Sequence, residues 1–154
     1  MKRWKNMLTA ALCICLMVLV FPATANAEDS NTTVVRYADG SYSVTTITYD
    51  DEQSDVSLLS GESTRRGTKR KDHYSRSGNL AWTFTLYGEF TYNGRTAEAT
   101  DAEYSYDIYE SGWSFANGSA SYSGVTARAS GEFNLTLSYP VSLSLTCSAN
   151  GVLS

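Results

Sequence analysis

Residues 125–147 read VTARASGEFNLTLSYPVSLSLTC, and their odd positions decide the fold. Val125, Ala127, Ala129, Phe133, Leu135, Leu137, Tyr139, Val141, Leu143, Leu145 and Cys147 are apolar, interrupted only by Gly131, while the even positions are polar except Pro140. A period of two places one apolar row on one face of a strand, whereas a helix, with its period of 3.6, scatters the same residues around its axis. The row also constrains the turn. A two-residue loop at Tyr139-Pro140 would set Leu137 opposite Ser142 and send the two apolar sets to different faces. The turn is therefore expected to be odd in length, or the strand bends at Pro140 and crosses to another sheet. Either way Cys147 points inward.

Working upstream, Leu80, Trp82, Phe84 and Leu86 alternate with Ala81, Thr83, Thr85 and Tyr87, and the register runs on past Gly88 to Phe90 and Tyr92. Asn93-Gly94 is a strong hairpin signal, and a two-residue loop there pairs Tyr92 with Arg95, Phe90 with Ala97 and Gly88 with Ala99. Tyr104, Tyr106 and Ile108 mark a further short strand, with Trp113 and Phe115 anchoring the next. Residues 34–49, rich in Val, Thr, Ile and Tyr and broken by Asp39-Gly40, read as a hairpin. Residues 60–78 are almost wholly polar and read as a mobile, basic loop or linker. Six to nine short strands and no helical stripe beyond the leader predict an all-β domain, an antiparallel β-sandwich of immunoglobulin-like architecture rather than a closed barrel.

The leader is the first segment of the chain. Lys2, Arg3 and Lys5 precede an apolar run at residues 7–21, and Ala25-Asn26-Ala27 closes it with small residues. The run is about 15 residues, short of the roughly 20 of a spanning helix, and the order charged, apolar, small is that of a secretory signal peptide. Residues 1–27 are thus expected to be a helical signal peptide cut between Ala27 and Glu28. Cys13 and Cys15 leave with it, so Cys147 alone remains and no internal disulfide is expected. The remaining roughly 127 residues suffice for one domain, at 28–154. Losing three positive charges and no negative ones takes the formal net charge from −4 to −7, which argues against nucleic acid as a partner. The final residues, Asn150-Gly151-Val152-Leu153-Ser154, lack the hydrophobic tail and basic end of a wall-sorting signal, so release from the cell is expected.

No catalytic, nucleotide or cofactor motif stands out, and no metal set is expected. His73, the one histidine, falls in the basic segment, where a solvated loop position suits neither a nucleophile's partner nor a general base. Asp50, Asp51, Glu52 and Asp55 offer hard oxygen ligands but lack the spacing of a calcium loop, and read as a solvated acidic turn. Arg65, Arg66, Lys69, Arg70, Lys71 and Arg76 form a cationic cluster on an acidic protein, suited to an anionic cell-wall polymer, a lipid headgroup or an acidic protein, or to proteolytic cutting. Tyr104, Tyr106, Tyr109 and Trp113 offer aromatic faces for a glycan, although strand tyrosines also serve as half-buried core filler. Cys147 reads as a buried inert thiol.

Ser77-Gly78-Asn79-Leu80-Ala81-Trp82, Gly88-Glu89-Phe90-Thr91-Tyr92-Asn93-Gly94, Trp113 and Cys147-Ser148-Ala149-Asn150-Gly151-Val152-Leu153-Ser154 together resemble a family of small secreted all-β proteins from Gram-positive, mostly gut-dwelling bacteria that has no assigned function. The resemblance implies an extracellular all-β domain. It also implies that relatives carry a second cysteine near the position of Ala99, so that this chain has lost the partner of Cys147.

The expected function is a non-enzymatic extracellular binding or interaction module at the cell envelope, using the basic segment or an aromatic face. The alternative is a membrane-acting toxin or bacteriocin-like protein, in which residues 125–147 open into an amphipathic hairpin. The leader reading makes one direct prediction: intact mass of the exported protein gives a chain beginning at Glu28, and a chain retaining residues 1–27 would contradict it.

Overall fold

The computed structural model describes residues 31–50 and 61–154. The expected signal peptide, its cut between Ala27 and Glu28, and the acidic residues Asp51, Glu52 and Asp55 lie outside the described residues. Within them the chain is all-β, arranged as two antiparallel sheets whose strands follow sequence order. The first holds β1 (Asn31–Arg36), β2 (Tyr42–Tyr49), β3 (Ser63–Tyr74), β4 (Leu80–Tyr92) and β5 (Ala97–Ile108). The second holds β6 (Ser114–Ser123), β7 (Thr126–Asn134) and β8 (Ser138–Thr146).

The alternating row of residues 125–147 becomes β7 and β8. Their turn has three residues, 135–137, so it is odd in length as expected, but it comes earlier than Tyr139-Pro140. This register sets Ala127 across from Leu145, Ala129 from Leu143, Gly131 from Val141 and Phe133 from Tyr139. Leu135 and Leu137, which continue the pattern in sequence, belong to the turn and are 50% and 70% exposed. Pro140 is accommodated because β8 is an edge strand, where a missing N–H leaves no central ladder bond unmade.

Two differences from the sequence reading concern β5 and β3. The Asn93-Gly94 connection spans four residues, so Tyr92 faces Ala97 and Phe90 faces Ala99. Asn93 Oδ1 accepts from the Arg95 and Thr96 amides and the Thr96 hydroxyl, and the Gly94 amide donates to the Ala149 carbonyl, which together hold the wider loop. A bulge then shifts the register by one, so Gly88 faces Ala102 rather than Ala99. The second difference is larger. Most of the expected basic loop at 60–78 is β3, twelve residues paired along their whole length by β4 and from Gly67 to Tyr74 by β2 as well. Its polar side chains concealed a strand, which is held by the backbone pairing that its strongly β-forming neighbours offer.

The core lies between the sheets. Phe84, Leu86 and Phe90 of β4 meet Ala127 and Phe133 of β7 and Leu145 of β8, all fully or nearly fully buried. Each large side chain so buried contributes about 1.5–3 kcal/mol. Across the sheets, the Trp82 and Phe133 rings stack at 3.9 Å and 7°. β7 touches β4 and β5, while β8 touches β3 and β4. The three-stranded sheet therefore covers β3, β4 and β5, and β1 and β2 extend past the free edge of β8.

The end of the chain straps this arrangement down. Cys147 bridges to Leu153, the Tyr49 hydroxyl donates to the Leu153 carbonyl at 3.1 Å, and the Leu153 side chain, buried, fills the space above Gly67. A Cβ at position 67 would overlap Leu153 Cδ1. Gly67→Ala is accordingly expected to destabilise the fold by about 1–3 kcal/mol in urea unfolding, and by clearly less in a Leu153→Ala background. Equal costs in both backgrounds would refute the contact.

Candidate functional site

The six cations of the basic segment do not form one patch. Strand alternation divides them between the two faces of the sheet. On the outer face, Arg66 lies directly across from Glu89 and pairs with it at 2.6 Å, and Arg70 pairs with Asp72 at 2.6 Å. Such exposed pairs contribute about 0–1 kcal/mol but neutralise each other's charge. Arg76 lies beyond the strand, its aliphatic stem against Gly40.

Arg65, Lys69, Lys71 and His73 share the inner face. Arg65 sits between two rings, 5.7 Å from the centre of Tyr49 and 6.0 Å from that of Tyr92. Its Nε is buried and has no acceptor among the described residues. Register sets Lys69 between Ile47 and Leu86, and Lys71 between Thr45 and Phe84. Burial pushes Lys69 below the ordinary lysine value. No salt bridge reaches either lysine from the described residues. β8 runs across this face with Tyr139 at 5.8 Å from His73 and with Cys147 near enough to Arg65 to feel its charge. β8 lies against β3, so the two lysines fall midway along a seam between these strands, from Arg65 to His73.

His73 closes one end of the seam. Far from being a solvated loop residue, it is 2% exposed, its Nδ1 lies 3.0 Å from the Ser43 hydroxyl, and its ring stacks on Trp82 at 4.8 Å. Tyr37, Trp113 and Tyr139 surround it at 5.7–5.8 Å. Burial, and secondarily the charge of Lys71, lowers its pKa below 6.5, against the weaker opposing influence of Asp39 and Glu110. Asp39 is itself held below its ordinary value by the hydroxyl and amide of Ser41. The objection that a loop cannot hold a histidine against a nucleophile therefore does not apply; Ser43, equally buried, is the hydroxyl it holds. That pair joins β2 and β3 and is almost wholly removed from solvent.

The candidate aromatic face turns inward. After the β5 bulge the even positions face the core. Tyr106 stacks on Phe115 at 4.0 Å, Tyr104 lies 5.7 Å from Phe84, and Trp113 packs against Trp82 and Tyr139. The inward turn is partial, because Tyr109 remains exposed and Tyr106 keeps 44% of its surface in solvent. Asp50 lines a shallow concavity of about 270 Å³ with Arg66, Glu89, Asp101 and Glu103. Among the described residues no three His, Cys, Asp or Glu side chains gather as metal ligands. Burial raises the pKa of Cys147, Arg65 opposing, in keeping with an inert thiol.

Sequence reasoning missed the Ser43 and His73 pair, since nothing in residues thirty positions apart announces a cross-strand contact. Comparisons with protein-family models, with curated proteins and with solved structures gave no match to this chain.

His73 sets a pH dependence whose sign follows from its lowered pKa. The folded state holds the ring neutral, so the unfolded chain takes up a proton first as pH falls. The stability present above 6.5 is lost as pH falls through that value toward the lower folded pKa. Urea unfolding between about pH 7.5 and pH 5.5 should show this decline, and His73→Gln should flatten it. A decline of the same slope in the variant would exclude His73 as its source.

Proposed function

We propose that this chain is an exported, non-enzymatic binding module that grips an extended anionic polymer of the cell envelope along the seam at Lys69 and Lys71. The observation that carries the reading is the asymmetry of β3: its outer arginines have carboxylate partners at 2.6 Å, while among the described residues no carboxylate pairs with its inner lysines. A half-buried ammonium loses hydration without regaining it from a counter-charge, and a phosphate or carboxylate seated beside it restores that loss. Two such groups at alternate positions of one strand lie roughly 7 Å apart, a spacing that suits repeating anions on an extended chain. The net charge of the protein is negative, so the local cationic line selects for contact through this face.

In this reading the two sheets form an antiparallel sandwich of immunoglobulin-like architecture, supported by the Trp82 and Phe133 stack and by core side chains drawn from both sheets. Export rests on the leader at residues 1–27 and on the resemblance to small secreted proteins. The polymer is envelope material because an exported, anionic protein meets it first.

The test is co-sedimentation with purified Gram-positive cell wall bearing phosphodiester polymer. Lys69→Gln with Lys71→Gln is expected to weaken retention by roughly tenfold, about 1.4 kcal/mol. Arg66→Gln with Arg70→Gln should leave it within about twofold, as expected for charges already neutralised. Retention that depends on the outer arginines and ignores the lysines would overturn the assignment.

A further inference from the structure

Four strands have a free edge in the described sheets, β1, β5, β6 and β8, and three of them carry the devices that keep edges from pairing. β8 contains Pro140. β6 is broken by a bulge between Ala116 and Ser119, where Asn117 adopts φ 57°. β5 carries a bulge and a row of carboxylates, among them Glu98, Asp101, Glu103 and Asp107. Prolines, bulges and charges are the standard guards against edge-to-edge association.

β1 has no proline and no bulge, and its single charge, Arg36, stands at its last position. Residues 31–35 are Asn-Thr-Thr-Val-Val, uncharged and β-forming, and they pair with β2 in an unbroken register. Val34 and Val35, on opposite faces, are 52% and 46% exposed. Among the described residues no strand bonds its outer edge. We infer that β1 is a self-association edge, on which a second copy of this chain adds its own β1 antiparallel to form a continuous ten-stranded sheet.

The partner is specified by the segment itself. Residues 31–35 are uncharged and meet their own copy without repulsion, and in a two-fold pair centred on Val34 the two Val34 side chains cover each other on one face while Val35 faces Thr33 on the other. Antiparallel pairing sends the two Arg36 side chains to opposite ends, each already over the Tyr42 ring of its own chain at 5.5 Å, whereas parallel pairing would stack them. The contact is isologous, so it consumes the free edge of both copies and closes at two.

Sedimentation equilibrium of the exported chain at micromolar concentrations tests this. The wild-type protein should be a dimer, and Val34→Lys and Thr32→Lys, both at exposed positions on one face of β1, should each be monomeric with an unchanged thermal melt. A wild-type monomer across the range, a dimer that survives both substitutions, or open-ended higher oligomers would overturn the inference.

Discussion

The stack of His73, Trp82 and Phe133 is the contact on which the rest of the arrangement depends. Trp82 lies with one face on His73 at 4.8 Å and the other on Phe133 at 3.9 Å, both near parallel. The first contact ties β4 to β3 within a sheet, and the second ties that sheet to β7 across the core. Aromatic pairs of this kind contribute about 0.5–1.5 kcal/mol beyond the area they bury. The indole Nε1 has no acceptor among the described residues, which costs about 1–3 kcal/mol. Those two effects are of similar size, so the stack holds through the apolar surface it removes from water. Phe133 and Phe84 are fully buried around it, and Tyr106 and Phe115 extend the ring cluster toward β5 and β6.

Once His73 is fixed on Trp82, the alternation of β3 is fixed as well. Lys71, Lys69 and Arg65 must follow on the same face, and Arg66 and Arg70 must face outward to Glu89 and Asp72. Five of the six cations are thereby sorted into an outer row that is neutralised and an inner row that no carboxylate among the described residues neutralises, with Arg76 beyond the strand. The same sorting explains the aromatic residues. Tyr104 and Trp113 pack against Phe84 and Trp82, so their area serves cohesion, and Tyr106 stacks one face on Phe115 while remaining partly open to solvent.

Legibility in the sequence followed one physical variable, whether the two faces of a strand differ in polarity. In residues 125–147 they differ at nearly every step, so the alternation and its inward row could be read, with an odd turn as one of two readings, while the turn's place at 135–137 could not. In β3 both faces are polar, so a strand and a loop look alike in sequence. Only the hydrogen-bonding demand of β2 and β4 on either side decides between them. In β5 the inward positions are Ala97 and Ala99 before the bulge and Ala102, Tyr104 and Tyr106 after it. That change of parity erased the period and left the tyrosines without an assigned face. The individual cations were identifiable as a group, but the distinction among them belongs to cross-strand register, as does the Ser43 and His73 contact.

Native-state hydrogen exchange on β3, β4 and β7 tests the central claim most directly. If the ring stack joins the two sheets, the slowest amides of β4 and β7 open together, at one free energy equal to that of global unfolding, and β3 near His73 opens with them. Opening of β6, β7 and β8 at a distinctly lower free energy, while β3 and β4 stay protected, would show that the sheets are separate units and that the stack does not hold them.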